Sequence, residues 1–493
     1  MPSADSCFHK LLKLPGTLRR PTFALYIRLL FDSSRLPFVI IRNDKLAGYS
    51  FVHIADLPAL ERLALPLSKY IPAYFSDHEV VALRKHVVSI ANRAQQLDPD
   101  LTIASPSCKT LNGEVSTCLG YTLKTHKDQG DIGPRSLHLA RQPLCHGLSA
   151  WVVWNLEPPL RALPHMVWDS FEFRRAIHHI RAPEGSRIVA ADLKDFFLSG
   201  TAAQLADDAT LGLPQDRRQL VREAILLLLN NQYVQSKTAT HYHRCICGAG
   251  MGLKHSSHIA NLAFNNAVER RLFRDKPLAT SGVLSHTRYH DDVLMLMESR
   301  QSMLDFMAAM QQHSQYFRIL VREVSSHALQ HLDLVVALSD GRVEITPSLA
   351  KIPIPLSPMS AHPPHIHCGW PTAVYHRVAA LSDHAPEALA KLRSNYRAAG
   401  ADAYTMQQLR PSRPAPRHPT VELELLPLTL RYHPAFRRPV LRAIRQLPPP
   451  PTMLYRLVAS WSNALPSLAT HINHHNHESC DNDHRVGSSA RAG

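Results

Sequence analysis

In RYHDDVLMLM, residues 288–297, two adjacent aspartates stand between a Tyr-His pair and an apolar run. This junction constrains the fold more than any other stretch. Like charges repel, and a carboxylate at the edge of a core loses hydration, so Asp291 and Asp292 require cations or hydrogen-bond donors beside them. Residues 293–297, VLMLM, read as a buried strand, and Ser299 is placed to cap a helix in SRQSMLDFMAAMQQH, where Met303, Phe306, Met307 and Met310 share a face. Upstream, GVLSHTR reads as a partner strand, which makes residues 288–292 the tip of a hairpin. A hairpin tip would hold both carboxylates at the end of a sheet. A surface turn with two solvated aspartates is the alternative that the pattern leaves open.

A third acid is needed on a neighbouring strand, and SRIVAADLKDFFLSG, residues 186–200, offers one. Ile188 to Ala191 read as a strand that Asp192 ends. Paired beside the hairpin, this strand would let Asp192 and Asp291 chelate two divalent cations about 3.5–4 Å apart, the arrangement used for in-line phosphoryl transfer. Hard Mg²⁺, with Mn²⁺ as a substitute, suits an all-carboxylate set better than zinc does. Asp195 reads equally as a residue that turns the chain. Phe197 reads as core packing or as a ring closing the space that a ribose 2′-hydroxyl would need. Between the acidic segments lies CGAGMGLKHSSHIANLAFNNAVERRLF, residues 247–273, a glycine-rich turn running into a helix. Gly248, Gly250 and Gly252 would let backbone approach a nucleotide or template base, or serve a tight turn, with Ser256, Ser257 and Asn261 projecting from the helix start.

The remaining composition narrows the class. With 55 Lys and Arg against 40 Asp and Glu, the chain carries a formal +15, and its pI is near 9.6, which favours a polyanionic partner, nucleic acid before membrane. The length of 493 residues suggests roughly three domain-sized pieces. Cys7, Cys108, Cys118, Cys145, Cys245, Cys247, Cys368 and Cys480 are scattered without the spacing of a disulfide framework, which fits a reducing, intracellular setting. No stretch approaches the length of apolar sequence that spans a bilayer, and the N-terminus lacks a signal-peptide core. HYHRCICG (241–248) and HPPHIHC (362–368) lack two separated ligand pairs and read as structural His and Cys rather than zinc sites.

In order along the chain, Asp192-Leu-Lys-Asp-Phe-Phe197, Gly250-Met-Gly-Leu-Lys-His-Ser256 and Tyr289-His-Asp-Asp292 resemble palm motifs A, B and C of reverse transcriptases. GAGMGLKHSSHIANL is similar to the glycine-rich palm motif of Penelope-like retroelement polymerases. Further resemblance lies in DKLAG at 44–48, LKTHK at 123–127 with Pro134-Arg135, HLDLVV at 331–336, SAHPPHIHCGWP at 360–371 and LRYHPAFRR at 430–438. The similarity spans about residues 35–440, and the order of many weak motifs is more specific than any one.

The resemblance implies an α+β right-hand polymerase fold with fingers, a palm of antiparallel sheet flanked by helices, and a helical thumb. On that reading, residues 1–115 form an N-terminal extension and the start of the fingers, 116–186 the fingers, 187–350 the palm and 351–446 the thumb. Residues 447–493 form a proline-rich linker and a disordered His-rich tail. It implies an RNA-directed DNA polymerase of a retrotransposon, binding an RNA template, a DNA primer and dNTPs, with two Mg²⁺ ions and a nuclear location. Asp192, Asp291 and Asp292 are then the catalytic, metal-holding triad. Lys127, Arg135, Phe197, Gly252 and Ser256 line the nucleotide site, Phe197 excluding ribonucleotides and so disfavouring an RNA-dependent RNA polymerase.

The chain departs from the family in three places. Ser256-Ser257 stands where Ser-Pro is usual, and no lysine occurs between Asp292 and Lys351 to protonate pyrophosphate; His313, Arg318 and Arg322 are left unassigned in that role. The residues after LPPPPTM are too few and too polar for the GIY-YIG endonuclease of many relatives, so an endonuclease-lacking or truncated copy is expected. A catalytically inactive or domesticated nucleic-acid-binding copy is the alternative.

Overall fold

The computed structural model describes residues 38–44, 49–100, 115–124, 133–139, 144–236, 242–349, 364–401, 403–410, 424–431 and 455–462. Two units emerge from the packing: one comprises residues 41–352 with 380–388, and the other comprises 1–40, 353–379 and 389–493. Among the described residues of the second unit, 364–379, 389–398 and 403–408 are helical. The segment of the palm-like sequence motifs lies wholly in the first.

At the centre of that unit is a four-stranded antiparallel sheet. Its strands are β1 (Arg187–Lys194), β2 (Val283–Tyr289), β3 (Asp292–Met297) and β4 (Arg318–Ser325), in the order β4-β1-β3-β2. The fold class expected from the sequence is the one observed: an α+β arrangement in which helices flank an antiparallel sheet. Both sheet faces are covered, which is why IVAA and VLMLM are continuous apolar runs instead of alternating ones. Val189, Ala191, Val293 and Met295 join a large core that includes Phe264, Phe306 and Met310. Ile188, Ala190, Leu294 and Leu296 join a second core with Phe173 and Ile177 and with Leu334, Val336 and Ile345 of a three-stranded sheet.

Local sequence accounts for the flanking helices. Helix α1 (Ser170–Ile177) is capped by Asp169, whose carboxylate accepts the Glu172 N–H at 2.8 Å. Ser299 accepts the Ser302 N–H at 3.1 Å to start α3 (Arg300–His313), which buries Phe306 and Met310 as the spacing predicts. Helix α2 (Ser256–Phe264) buries Ile259, Ala260, Leu262, Ala263 and Phe264 in the larger core. A π-helical turn, Asn265–Glu269, continues it, and all five of those residues are buried.

Strand β1 runs two residues past Asp192, to Lys194, rather than ending at the acid. What ends it is Asp195, at φ +53°, whose carbonyl accepts the Leu198 N–H. The turning role read for Asp195 is therefore the one it performs. Among the described residues no helix is long and apolar enough to cross a membrane.

The glycine-rich turn ahead of α2 has a packing reason of its own. Gly248 sits at φ +72°, and a Cβ there would fall 2.2 Å from the Phe197 carbonyl oxygen; a Cβ on Gly250 would fall 2.4 Å from the His138 ring. Backbone cannot yield as a flexible side chain can. Gly248→Ala is accordingly expected to lower stability by at least about 1–2 kcal/mol, the left-handed penalty alone. Gly212→Ala, where a Cβ meets nothing within 4 Å, is the control and should be neutral or mildly stabilising in the same denaturant titration.

Candidate active site

Strand pairing sets the geometry of the acids. Asp192 and Asp292 are direct cross-strand partners in the antiparallel β1–β3 ladder. Period-two alternation puts both on the face that carries Ile188, Ala190, Leu294 and Leu296, beyond the point where the second core ends. The ladder goes one step further: the Leu193 N–H donates to the Asp291 carbonyl at 2.9 Å, which brings the hairpin turn alongside β1. Tyr289 pairs with Asp292, so His290 and Asp291 alone make the turn. His290 occupies it at φ +54°, a conformation that costs a non-glycine residue about 1–2 kcal/mol.

Three carboxylates thus meet at one end of the sheet, and their repulsion is visible. Burial first, then the charges of Asp292 and Asp192, push the Asp291 carboxyl above the usual range, and Arg135 opposes the rise. Arg135, on the strand Pro134–Leu139, also stands 3.4 Å from Asp44. Its ion pair is thus with Asp44, and it acts on Asp291 only at longer range.

Among the described residues, Arg322 is the cation paired with both Asp192 and Asp292. Strand β4 pairs with β1 but shifts register between Val321 and Glu323, leaving Arg322 as the extra residue of a bulge. Its guanidinium straddles the pair, with Nη2 at 2.6 Å from Asp192 Oδ1 and Nη1 at 3.3 Å from Asp292 Oδ1. Held this way, the acids are engaged with the guanidinium. Among the described residues no three His, Cys, Asp or Glu side chains converge closely enough to hold a metal ion as they stand.

Behind the turn lies a second charged group that sequence reasoning did not find. Arg288, at the end of β2, is fully buried and saturates its guanidinium. Nε and Nη2 donate to the two carboxylate oxygens of Glu269, both at 2.8 Å. Nη1 donates to Asn261 Oδ1 at 2.6 Å and to the His290 carbonyl at 3.0 Å. Asn261 Nδ2 reaches His290 Nδ1 at 2.9 Å. One side chain therefore ties α2, its π-helical extension and the strained turn together. Burial alone would raise the Glu269 carboxyl, but Arg288 and His165 outweigh it and hold Glu269 well below the usual carboxylate range. His165 Nε2 is 2.9 Å from Glu269. The sequence hides this group, because β2 also carries Ser285, His286 and Thr287 and the partner of Arg288 lies 19 residues upstream.

The other expected site residues are distributed as follows. Phe197 is half-buried, packed on Phe196 at 5.2 Å between ring centres, and its carbonyl accepts the Ala249 N–H. Gly252, at φ +103°, lies against the His138 carbonyl, where a Cβ would fall 2.6 Å away. Ser256 is buried and donates to the Gly250 carbonyl at 2.7 Å, closing the glycine-rich loop on itself. Lys127 lies outside the described residues. Of the His and Cys in 241–248, Cys245 is buried and Cys247 partly buried, and both thiols donate to backbone carbonyls.

No protein-family model matches the chain, and no curated protein matches it by sequence. Its structure is similar to the telomerase of Candida albicans in complex with a fragment of telomeric RNA, with TM-score 0.47 and 8% identity over 76% of this chain and 64% of that one. It is also similar to apo telomerase of Candida tropicalis, with TM-score 0.46 and 9% identity over 78% of this chain and 67% of that one. A third similarity is to the RNA-dependent RNA polymerase of a human picobirnavirus, with TM-score 0.41 and 11% identity over 83% of each chain. A second apo telomerase structure of Candida tropicalis, truncated of its C-terminal domain, is matched over 66% of its length. The chain thus spans slightly less than two thirds of that structure and of the Candida albicans one.

Two measurements check the buried chemistry. Arg288→Met strands Glu269 in the core and is expected to cost about 3–5 kcal/mol, read from the denaturant midpoint at unchanged slope. The double variant Arg288→Met/Glu269→Leu, which removes both charges, should recover much of that loss. Burial also holds three histidines neutral: His138 and His286 are pushed down to about 3 and His255 to about 4, from an ordinary 6.5. Between the folded and ordinary values the unfolded chain binds these protons and the folded chain does not. Stability is therefore fully present above about pH 6.5 and falls as pH drops, by up to about 1.4 kcal/mol per histidine per pH unit. Thermal melts from pH 7 to pH 5 read this slope directly.

Proposed function

We propose that this chain is an RNA-directed DNA polymerase of the Penelope-like type, adding dNTPs to a primer 3′-hydroxyl. The single observation that carries the reading is the register that sets Asp192 opposite Asp292, with Asp291 in the adjoining turn. Three separate stretches, in the order the resemblance requires, supply Asp192, a glycine-rich turn into a buried helix, and the Asp291-Asp292 hairpin, and the charge of Arg135 acts to lower Asp291.

The donor set suits hard divalent cations. All three groups are carboxylates, their mutual repulsion raises Asp291, and a positive charge at that point would relieve it. Asp192, Asp291 and Asp292 would hold Mg²⁺ or Mn²⁺, which when bound acidifies a primer hydroxyl and neutralises triphosphate oxygens. Arg135 would add a fork of donors for phosphate. The Phe197 ring, half-exposed beyond the end of β1, would narrow the space at a sugar 2′ position. Arg288, Glu269 and Asn261 keep the turn that carries Asp291 in its strained conformation. A chain at +15 would hold the template and primer backbones electrostatically.

Primer extension on poly(rA)/oligo(dT) with Mg²⁺ or Mn²⁺ tests the reading. Asp291→Ala should reduce incorporation by about 10²–10⁴-fold, the worth of several kcal/mol of lost charge stabilisation. Equal incorporation by both chains would remove Asp291 from the mechanism, and none by the wild type would favour a binding protein. With rNTPs offered beside dNTPs, Phe197→Ala should raise relative rNTP use by about 10-fold.

A further inference from the structure

We infer that Arg322 is a resident counterion that competes with divalent cations for the acids and so sets the concentration at which the site loads. The inference rests on the metal-holding role proposed above for Asp192, Asp291 and Asp292. It is carried by the geometry of β4. A regular strand would turn the residue after Val321 to one face or the other in step with β1, but the bulge inserts Arg322 out of step and aims its fork across two strands. The fork joins two carboxylates that belong to different strands and are themselves direct partners.

The arrangement has the character of a latch more than of a structural rivet. Arg322 is 53% exposed, whereas the Asp192 side chain it grips is 16% exposed. The acids are fixed by the ladder; the arginine lies on an edge strand and can swing into solvent without disturbing it. An ion pair with one partner so exposed is weak enough to be displaced by a divalent ion, yet it must be broken before that ion takes Asp192 and Asp292 together. The carboxylates facing Arg322 are Asp192 and Asp292, the cross-strand pair itself.

The test is a Mn²⁺ titration of the full chain by electron paramagnetic resonance, without nucleotide or primer. Arg322→Gln should bind Mn²⁺ about 3- to 10-fold more tightly than wild type, the worth of one or two solvent-exposed charge contacts. The difference should shrink as NaCl is raised, because the competing pair is screened. Arg322→Lys keeps the charge but loses the fork, and should fall between the two. Without added metal, Arg322→Gln should melt at a lower temperature than wild type, and saturating Mn²⁺ should close the gap. Equal or weaker Mn²⁺ binding by Arg322→Gln, with wild-type binding abolished by Asp192→Asn/Asp292→Asn, would overturn the role of Arg322 and leave the metal-holding acids standing. Absence of Mn²⁺ binding in every chain would overturn both.

Discussion

Everything at the candidate site follows from electrostatic repulsion between two carboxylates that strand pairing forces to face each other. Cross-strand partners stand about 5 Å apart, where two negative charges repel by about 3 kcal/mol at an effective dielectric of about 20. The sheet cannot relax this by sliding, because a one-residue slip of β3 against β1 would turn Leu294 and Leu296 out of one core and Val293 and Met295 out of the other. Packing thus holds the charges in place, and the surroundings must supply cations. Arg322 answers from the solvent side, and Arg288 secures the turn behind the pair.

The two arginine systems differ in kind. Arg288 is buried among fixed partners, and its pairing with Glu269 is continuous with the core, so its charge is a permanent part of the scaffold. Arg322 lies at the rim, where water screens it. Structural countercharge and exchangeable countercharge are therefore separated by depth. The π-helical turn makes the first possible. By widening the helix after Asn265 it keeps Asn261 and Glu269, two turns apart, both within reach of one guanidinium.

What could be read from the sequence, and what could not, divides along the same physical line. The hairpin, the helix capped by Ser299, the turn at Asp195 and the three acids are local patterns: apolar runs, a serine before a helical period, a carboxylate where a strand gives way. The strand end was misplaced because burial on both faces hides where β1 stops, and only the left-handed Asp195 ends it. Arg322 was visible as a residue but not as a partner, since its direction depends on a bulge, which is a property of two paired strands and not of either alone. That the glycines are required by packing could not be read, because the groups that crowd them, His138 and the Phe197 carbonyl, are remote in the chain. Arg288 and Glu269 were silent for the same reason.

The bulge in β4 has a second effect, unconnected with chemistry. That strand is the outer one of its sheet and presents Val321 and Val324, 49% and 43% exposed, to solvent. A straight, apolar border of this kind invites a strand from another molecule to dock and propagate. The break in register at Arg322, with Glu323 next to it, interrupts the row of free backbone groups and adds charge of both signs. The irregularity that reaches for the acids is thus also one of the devices by which sheet edges resist strand addition.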